Sequence, residues 1–225
     1  MKKVIAIFAI TVLTTVLAPH AQAAEKATSV PGCKVSTAQP HEPAKIKQPM
    51  TPAKKLPKVL TLSTNCGDIV IALNPKAPQT ITNMSALANG KYFDKSLCHR
   101  LTTAGIFVLQ CGDPTYTGGG NPTGWSEYKD ENLPKAGAKN YPAGTVAMAN
   151  PARANANGSQ FFLVYADTQL GPNYTIWGKV TKGLDLLGKI GEVGALEWQG
   201  NQPIYAPDGD GEPIQRVEII KATAK

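Results

Sequence analysis

Apolar and polar positions alternate in two short runs, "VLTLST" at Val59–Thr64 and "DIVIAL" at Asp68–Leu73, parted by Asn65-Cys66-Gly67. A period of two over β-branched residues predicts two strands, and the Asn-Cys-Gly break predicts a hairpin-like turn. The period then changes. In "APQTITNMSALANG", Pro78 is followed by Ile81, Met84, Leu87 and Ala88 on one face, and Asn89-Gly90 supplies the stop. That pattern predicts one amphipathic helix. Short strands are expected at Leu97–Leu101, Ile106–Gln110, Thr145–Ala149, Gln160–Tyr165 and Ile176–Val180, with a last one at Ile214–Lys221. A second short helix fits Gly183–Ile190, where Leu184, Leu187 and Ile190 are apolar. Many short strands, glycine-rich turns and two helices predict a mostly β fold, a closed antiparallel barrel with helices capping its open ends.

Composition changes the picture at the N-terminus. Lys2 and Lys3 precede an apolar run from Val4 to Ala18, and Ala21-Gln22-Ala23 offers small residues for cleavage. This reads as a secretory signal peptide over residues 1–23, with an uncleaved anchor as the alternative. The expected location is therefore outside the cytoplasm: periplasmic, attached to the cell envelope, or extracellular. From Ala24 to about residue 57 six prolines are interspersed with lysines and no apolar period survives, the composition of an extended, disordered linker. One folded domain over 58–225 is expected to follow.

The charge divides the same way. Residues 1–59 carry nine Lys and two Asp/Glu, and residues 60–225 carry 14 basic and 14 acidic residues. The net charge of +7 thus belongs to leader and linker. A nucleic-acid-binding domain needs a basic face on the fold itself, so no nucleic-acid partner is expected. Contact with an anionic surface through the basic linker is an expectation. Four cysteines, Cys33, Cys66, Cys98 and Cys111, form no C-x-x-C pair and lack zinc-ligand spacing. Export permits disulfides, and at least one bridge is expected, but the sequence leaves all three connectivities open.

The candidate chemistry lies in "CHRLTTAGIFVLQCGD", where Arg100 and Gln110 stand among apolar residues. His99, the one histidine of the domain, points away from Arg100 by strand parity and is expected to be a hydrogen-bonded structural residue. Gly118–Gly120 lack the companions of a phosphate loop. Asp208 and Asp210 sit in "PDGDGE", a turn composition, with calcium binding as the lesser alternative. What remains is one arginine, one glutamine and an apolar surround. A second stretch, "GTVAMANPARANANGSQFFLVYAD", adds consecutive aromatics; Phe161 and Phe162 must face opposite sides, one toward the core and one toward a pocket.

The motifs "HRL", "VLQCGD", "VAMAN", "NGSQFFLVY" and "IWGKV", in this order, resemble the cyclophilins, the barrel-type peptidyl-prolyl isomerases. The resemblance spans about residues 58–223 and implies a closed eight-stranded antiparallel barrel. It implies a prolyl isomerase without cofactor or metal, in which Arg100 stabilises the twisted amide and Gln110 steadies Arg100. It further implies that Phe107, Val108, Phe162 and Leu170 form the proline pocket, and that Ala149, Asn150, Gln160 and Tyr174 contact the peptide. Substrates would be X-Pro bonds in unfolded or loop segments of exported proteins. The sequence departs from the family pattern in a longer Thr102–Gly105 turn, in Val108 where methionine is usual, and in Pro151 after Asn150. Gln169 stands where drug-sensitive members carry tryptophan, so weak or no cyclosporin binding is expected. A monomer is expected. The rival readings are a proline-peptide-binding module without turnover and a surface-adhesion protein acting through its lysine-rich tail.

Overall fold

The computed structural model describes residues 27–225. The expected signal peptide lies outside the described residues. Strands β1 (Val59–Thr64) and β2 (Gly67–Leu73) form the hairpin the alternation predicts, burying Leu60, Leu62, Ile69 and Ile71. Gly67 turns the chain at φ 119°, a region that favours glycine. Helix α1 spans Pro78–Asn89, with proline in its first turn, where no N–H partner is needed. No residue of its own caps it. Glu131, far along the chain, accepts the N–H groups of Gln79 (3.0 Å) and Thr80 (2.8 Å), supplying the anion that a helix N-terminus favours.

The remaining strands are β3 (Ser96–Leu97), β4 (Arg100–Thr102), β5 (Val108–Cys111), β6 (Thr145–Met148), β7 (Phe161–Val164) and β8 (Ile176–Lys182). Helix α2 (Leu184–Val193) precedes β9 (Ala195–Gln199), β10 (Gln202–Tyr205), β11 (Asp210–Pro213) and β12 (Glu218–Ala224). All pair antiparallel in the order β10-β9-β11-β4-β5-β7-β6-β8-β2-β1-β12-β3.

This corrects the expected closed eight-stranded barrel. The twelve strands make an open half-barrel whose end strands, β10 and β3, do not pair with each other. Two sequence segments account for the difference. The run read as one strand, Leu97–Leu101, breaks at Cys98-His99, so that β3 bonds to β12 while β4 turns to β5 and β11. The proline- and glycine-rich stretch 195–213, which shows no clear alternation, folds into three further short strands.

Two apolar clusters lie on opposite faces of the sheet. The larger holds Trp177, Phe161 and Phe93, with Phe161 edge-on to both of the others at 5.8 and 5.7 Å. The smaller holds Val108, Tyr141, Ala147, Phe162 and Val164. Phe161 and Phe162 thus divide between the faces as strand parity requires.

The linker-like stretch follows a definite course from Ala27 onward, as an irregular strap along the sheet. Val30 is buried, and its N–H donates to Gln215 Oε1 at 2.9 Å. A disulfide joins Cys33 to Cys66 in the β1–β2 turn. Further on, Trp125 Nε1 donates to the Ile46 carbonyl (2.6 Å), and Gln79 Nε2 to that of Pro49 (2.9 Å). Proline-rich composition forbids regular structure here, yet anchors elsewhere in the domain supply the bonds that the strap cannot make with itself.

The second disulfide ties Cys98, in the break just before β4, to Cys111, the last residue of β5 beside Gln110, and both cysteines sit in the main core. It closes a loop with a sequence separation of 13. Crosslinks of this loop length contribute about 3 kcal/mol, chiefly through the unfolded chain. Replacing both cysteines by alanine is expected to lower the melting temperature by about 5–10 °C, measured by thermal unfolding.

Candidate active site

Sheet register assembles the site. Arg100 lies opposite Gln110, Gln110 opposite Phe162, and Phe162 opposite Ala147. Directly opposed residues project to the same side, so one row crosses four strands on one face. Above that row lies a hollow of about 180 Å³. Val108 and Phe162 form its apolar floor, and Arg100 and Gln110 its polar edge. Ala149 and Asn150, just past β6, and Leu170 and Tyr174, in the loop after β7, complete the walls.

One expected wall residue is elsewhere. Phe107 turns its ring toward Tyr165, 6.0 Å away, and Ile106 lines the hollow instead. Both residues precede β5: Phe107, whose carbonyl accepts the Tyr165 N–H at 3.0 Å, continues the alternation and faces away from Val108, while Ile106, in the bend before it, reaches the hollow. The same rule, applied strictly, separates Phe107 from Val108 at the sequence level.

Below the hollow, Tyr141 is fully buried, 6.1 Å from both Phe162 and Tyr174. Its hydroxyl donates to the Gly171 carbonyl (3.1 Å) and accepts from the Tyr174 N–H (3.1 Å), which fixes the far wall. Burial pushes its phenol up to about 12, so it stays protonated. Tyr141 has no motif of its own, and sequence reasoning missed it.

Arg100 is clamped. Its Nε donates to Asp210 Oδ1 at 2.7 Å and its Nη2 to Asp210 Oδ2 at 2.6 Å, while Nη1 donates to Gln110 Oε1 at 3.2 Å. Hydrogen bonding to Asp210 holds the guanidinium above its already high value, so it is permanently charged. A guanidinium has five N–H groups; three are engaged, and two remain for a ligand. Asp210 is the main residue the sequence reading misplaced. It is the first residue of β11, brought beside Arg100 by the β11–β4 pairing.

Gln110 is held from behind in turn. Its Nε2 donates to Gln160 Oε1 at 2.9 Å, and Gln160 Nε2 donates to the carbonyls of Gly118 (2.9 Å) and Gly120 (3.1 Å). Gln160 therefore lines not the first hollow but an adjoining one of about 160 Å³, shared with Gln110, Ala149 and Asn150. The N–H of Ala149 is committed to the Gln160 carbonyl (2.9 Å), and Asn150 Nδ2 to that of Asn173 (2.8 Å).

The glycine loop is itself pinned by Asp113. That carboxylate accepts from Thr115 N (2.9 Å) and Oγ1 (2.6 Å), Thr117 Oγ1 (3.1 Å) and Gly120 N (3.0 Å). Any Cβ at position 120 would collide with Asp113, which explains glycine there. Burial on its own would raise the Asp113 carboxyl, but these donors outweigh it and hold it below the usual carboxylate range. A depressed folded value means stability present above about pH 4 and lost as pH falls through the folded value. Asp113→Asn is expected to cost about 1–3 kcal/mol at neutral pH. It should also flatten the acid limb of the melting temperature plotted against pH.

His99 differs from expectation. Its ring meets Tyr116 edge-on at 6.3 Å, and neither nitrogen has a hydrogen-bond partner among the described residues. Burial lowers its pKa, so the ring is neutral and offers no base at the hollow.

Comparison with known proteins gives a consistent answer. The family model described as "Cyclophilin type peptidyl-prolyl cis-trans isomerase/CLD" matches residues 59–224. A protein of Mycobacterium leprae named "Probable peptidyl-prolyl cis-trans isomerase B" is 40% identical over 170 residues, covering 71% of this chain and 54% of its own length. The chain thus spans about half the length of the mycobacterial relatives it matches. A "Peptidyl-prolyl cis-trans isomerase-like 1" of Neurospora crassa is 35% identical over 166 residues, covering 72% of this chain and 91% of its own. The crystal structure of a cyclophilin type peptidyl-prolyl cis-trans isomerase from Cryptosporidium parvum superposes with a TM-score of 0.59 at 26% identity, over 75% of this chain and 97% of the other. A second structure of that protein was solved in the presence of the dipeptide Ala-Pro.

Proposed function

Because the chain belongs to the cyclophilin-type peptidyl-prolyl cis-trans isomerases, we propose that it accelerates rotation about X-Pro bonds by seating the proline ring against Val108 and Phe162 under the Arg100 guanidinium. The observation that carries this reading is the clamped arginine at the edge of an apolar hollow of proline size.

The barrier to rotation, about 18–20 kcal/mol for an ordinary amide, comes from nitrogen–carbonyl conjugation. As the bond twists, the nitrogen lone pair is released and becomes an acceptor. A fixed N–H donor at that nitrogen binds the twisted amide better than the planar one, which is the condition for lowering a barrier. The two unengaged N–H groups of Arg100 suit this task, and Gln110 and Asp210 hold their direction. The aromatic and aliphatic floor holds the ring while the other side of the bond turns.

The substrates we propose are unfolded or loop segments of exported proteins, in which slow prolyl isomerisation limits folding. The basic, apolar N-terminus and the two disulfides support work in an oxidising compartment outside the cytoplasm. The same reading includes weak or no cyclosporin binding, since Gln169 is exposed where an aromatic would cover the ligand.

The test is NMR exchange spectroscopy on an Ala-Pro peptide with the purified chain, with and without cyclosporin. Faster cis–trans exchange, little affected by micromolar drug, is the expected result. Peptide binding with unaltered exchange would replace the isomerase by a binding module.

A further inference from the structure

Arg100 also borders a second hollow, of about 320 Å³, on the side away from the proline floor. One flank is made by His99 and Tyr116, and the other by the sheet of β9 and β11. Register shows which side chains face it. Leu196 lies opposite both Tyr205 and Glu212, and Trp198 opposite Pro203, so these residues share one face, of which Leu196, Trp198 and Glu212 line the hollow. Asp210, two residues before Glu212, shares it too.

This face is open. Trp198 is 56% and Tyr205 45% exposed, two of the few large apolar side chains the described residues leave in water. Beside this aromatic platform stands Glu212, which takes part in none of the ion pairs among the described residues. Its negative charge is felt by Tyr116, whose phenol is pushed up to about 12 by burial first and by Glu212 second. Of the neighbouring cations, Arg100 is paired with Asp210. Arg216, whose charge acts on Tyr116 in the opposite sense, donates to the Ala38 carbonyl and forms no ion pair with Glu212 among the described residues.

We propose that this hollow is a specificity subsite that receives a lysine or arginine side chain of the same polypeptide whose prolyl bond lies in the adjoining hollow. The inference rests on the isomerase reading for its substrate and on the β9–β11 face for its chemistry. An aliphatic stem can lie on Leu196 and the Trp198 ring, and a cationic head then meets both an aromatic face and a carboxylate. A simple apolar side chain would gain the platform but leave Glu212 without a counter-charge, and an acidic one would be repelled. Arg100 borders both hollows, so a chain leaving the proline floor has a short path to the platform.

The test titrates the full chain with Ala-Pro peptides carrying Lys, Leu or Glu at each of three positions on either side of the pair. The Trp198 indole N–H, identified through Trp198→Phe, reports occupancy, and cis–trans exchange is recorded in the same samples. At one position lysine should shift the indole signal and bind about fivefold more tightly than glutamate. The preference should shrink with added salt and disappear in Glu212→Gln. The subsite is overturned if no peptide shifts Trp198, or if leucine matches lysine and Glu212→Gln changes nothing. The isomerase reading fails separately: a lysine-dependent Trp198 shift without faster exchange upholds the subsite and sinks turnover. Faster exchange indifferent to lysine does the reverse.

Discussion

Arg100→Ala should retain the fold and the hollow but lose about 10²–10³-fold in kcat. The magnitude is that of removing one preorganised donor from a site where charge or a lone pair develops in the transition state. The side chain is not part of either core, and its ion pair is roughly 40% exposed at both ends, so stability should change little. KM should also change little, because an apolar floor such as Val108 and Phe162 form would hold planar and twisted prolines alike. Arg100→Lys should not rescue. An ammonium cannot bond both Asp210 oxygens through parallel N–H groups while a third faces Gln110, so its direction would be lost. Exchange rates at saturating peptide, with a thermal melt of each variant, measure both halves of the expectation. A drop confined to KM would show Arg100 to be a binding group, and the twisted-amide mechanism would fail.

What the sequence could disclose depended on how local the physics was. Helix α1 matches its expectation over Pro78–Asn89 because a proline start, a helical apolar stripe and an Asn-Gly stop all lie within one short window. The β1–β2 hairpin was legible for the same reason. The strap was not: Val30 and Ile46 look like stray apolar residues until Gln215 and Trp125, far along the chain, supply their partners. The break at Cys98-His99 and the strands β9–β11 were equally hidden, since their pairing is fixed by neighbours across the sheet rather than by their own alternation. In the site, Arg100, Gln110, Val108 and Phe162 could be named from motif resemblance; register brings Arg100, Gln110 and Phe162 into one row, with Val108 two residues along β5 on the same face. Phe107 was placed against the rule of strand parity that was already available, and the structure assigns its place to Ile106.

Asp210→Ala is expected to lower kcat about 10–100-fold while moving the melting temperature by only a few degrees. The two effects separate because the carboxylate does two different things. As a stabilising ion pair it is half in water, and such pairs contribute at most about 1 kcal/mol. As a clamp it fixes two atoms of the guanidinium, Nε and Nη2, leaving Gln110 alone to hold a third when it is removed. A donor free to swing must be ordered again in each transition state, and misplacement by about 1 Å can cost 10²-fold. A compensating effect runs the other way, since a guanidinium without its counter-ion is a stronger donor; the loss should therefore stay below that of Arg100→Ala. Asp210→Glu can still reach both atoms by adjusting its longer stem and should recover part of the rate. If Asp210→Ala instead stayed within twofold of the parent, Gln110 and its backing through Gln160 and the Asp113 loop would be sufficient to aim Arg100. The β11 carboxylate would then serve mainly to neutralise charge between the two hollows.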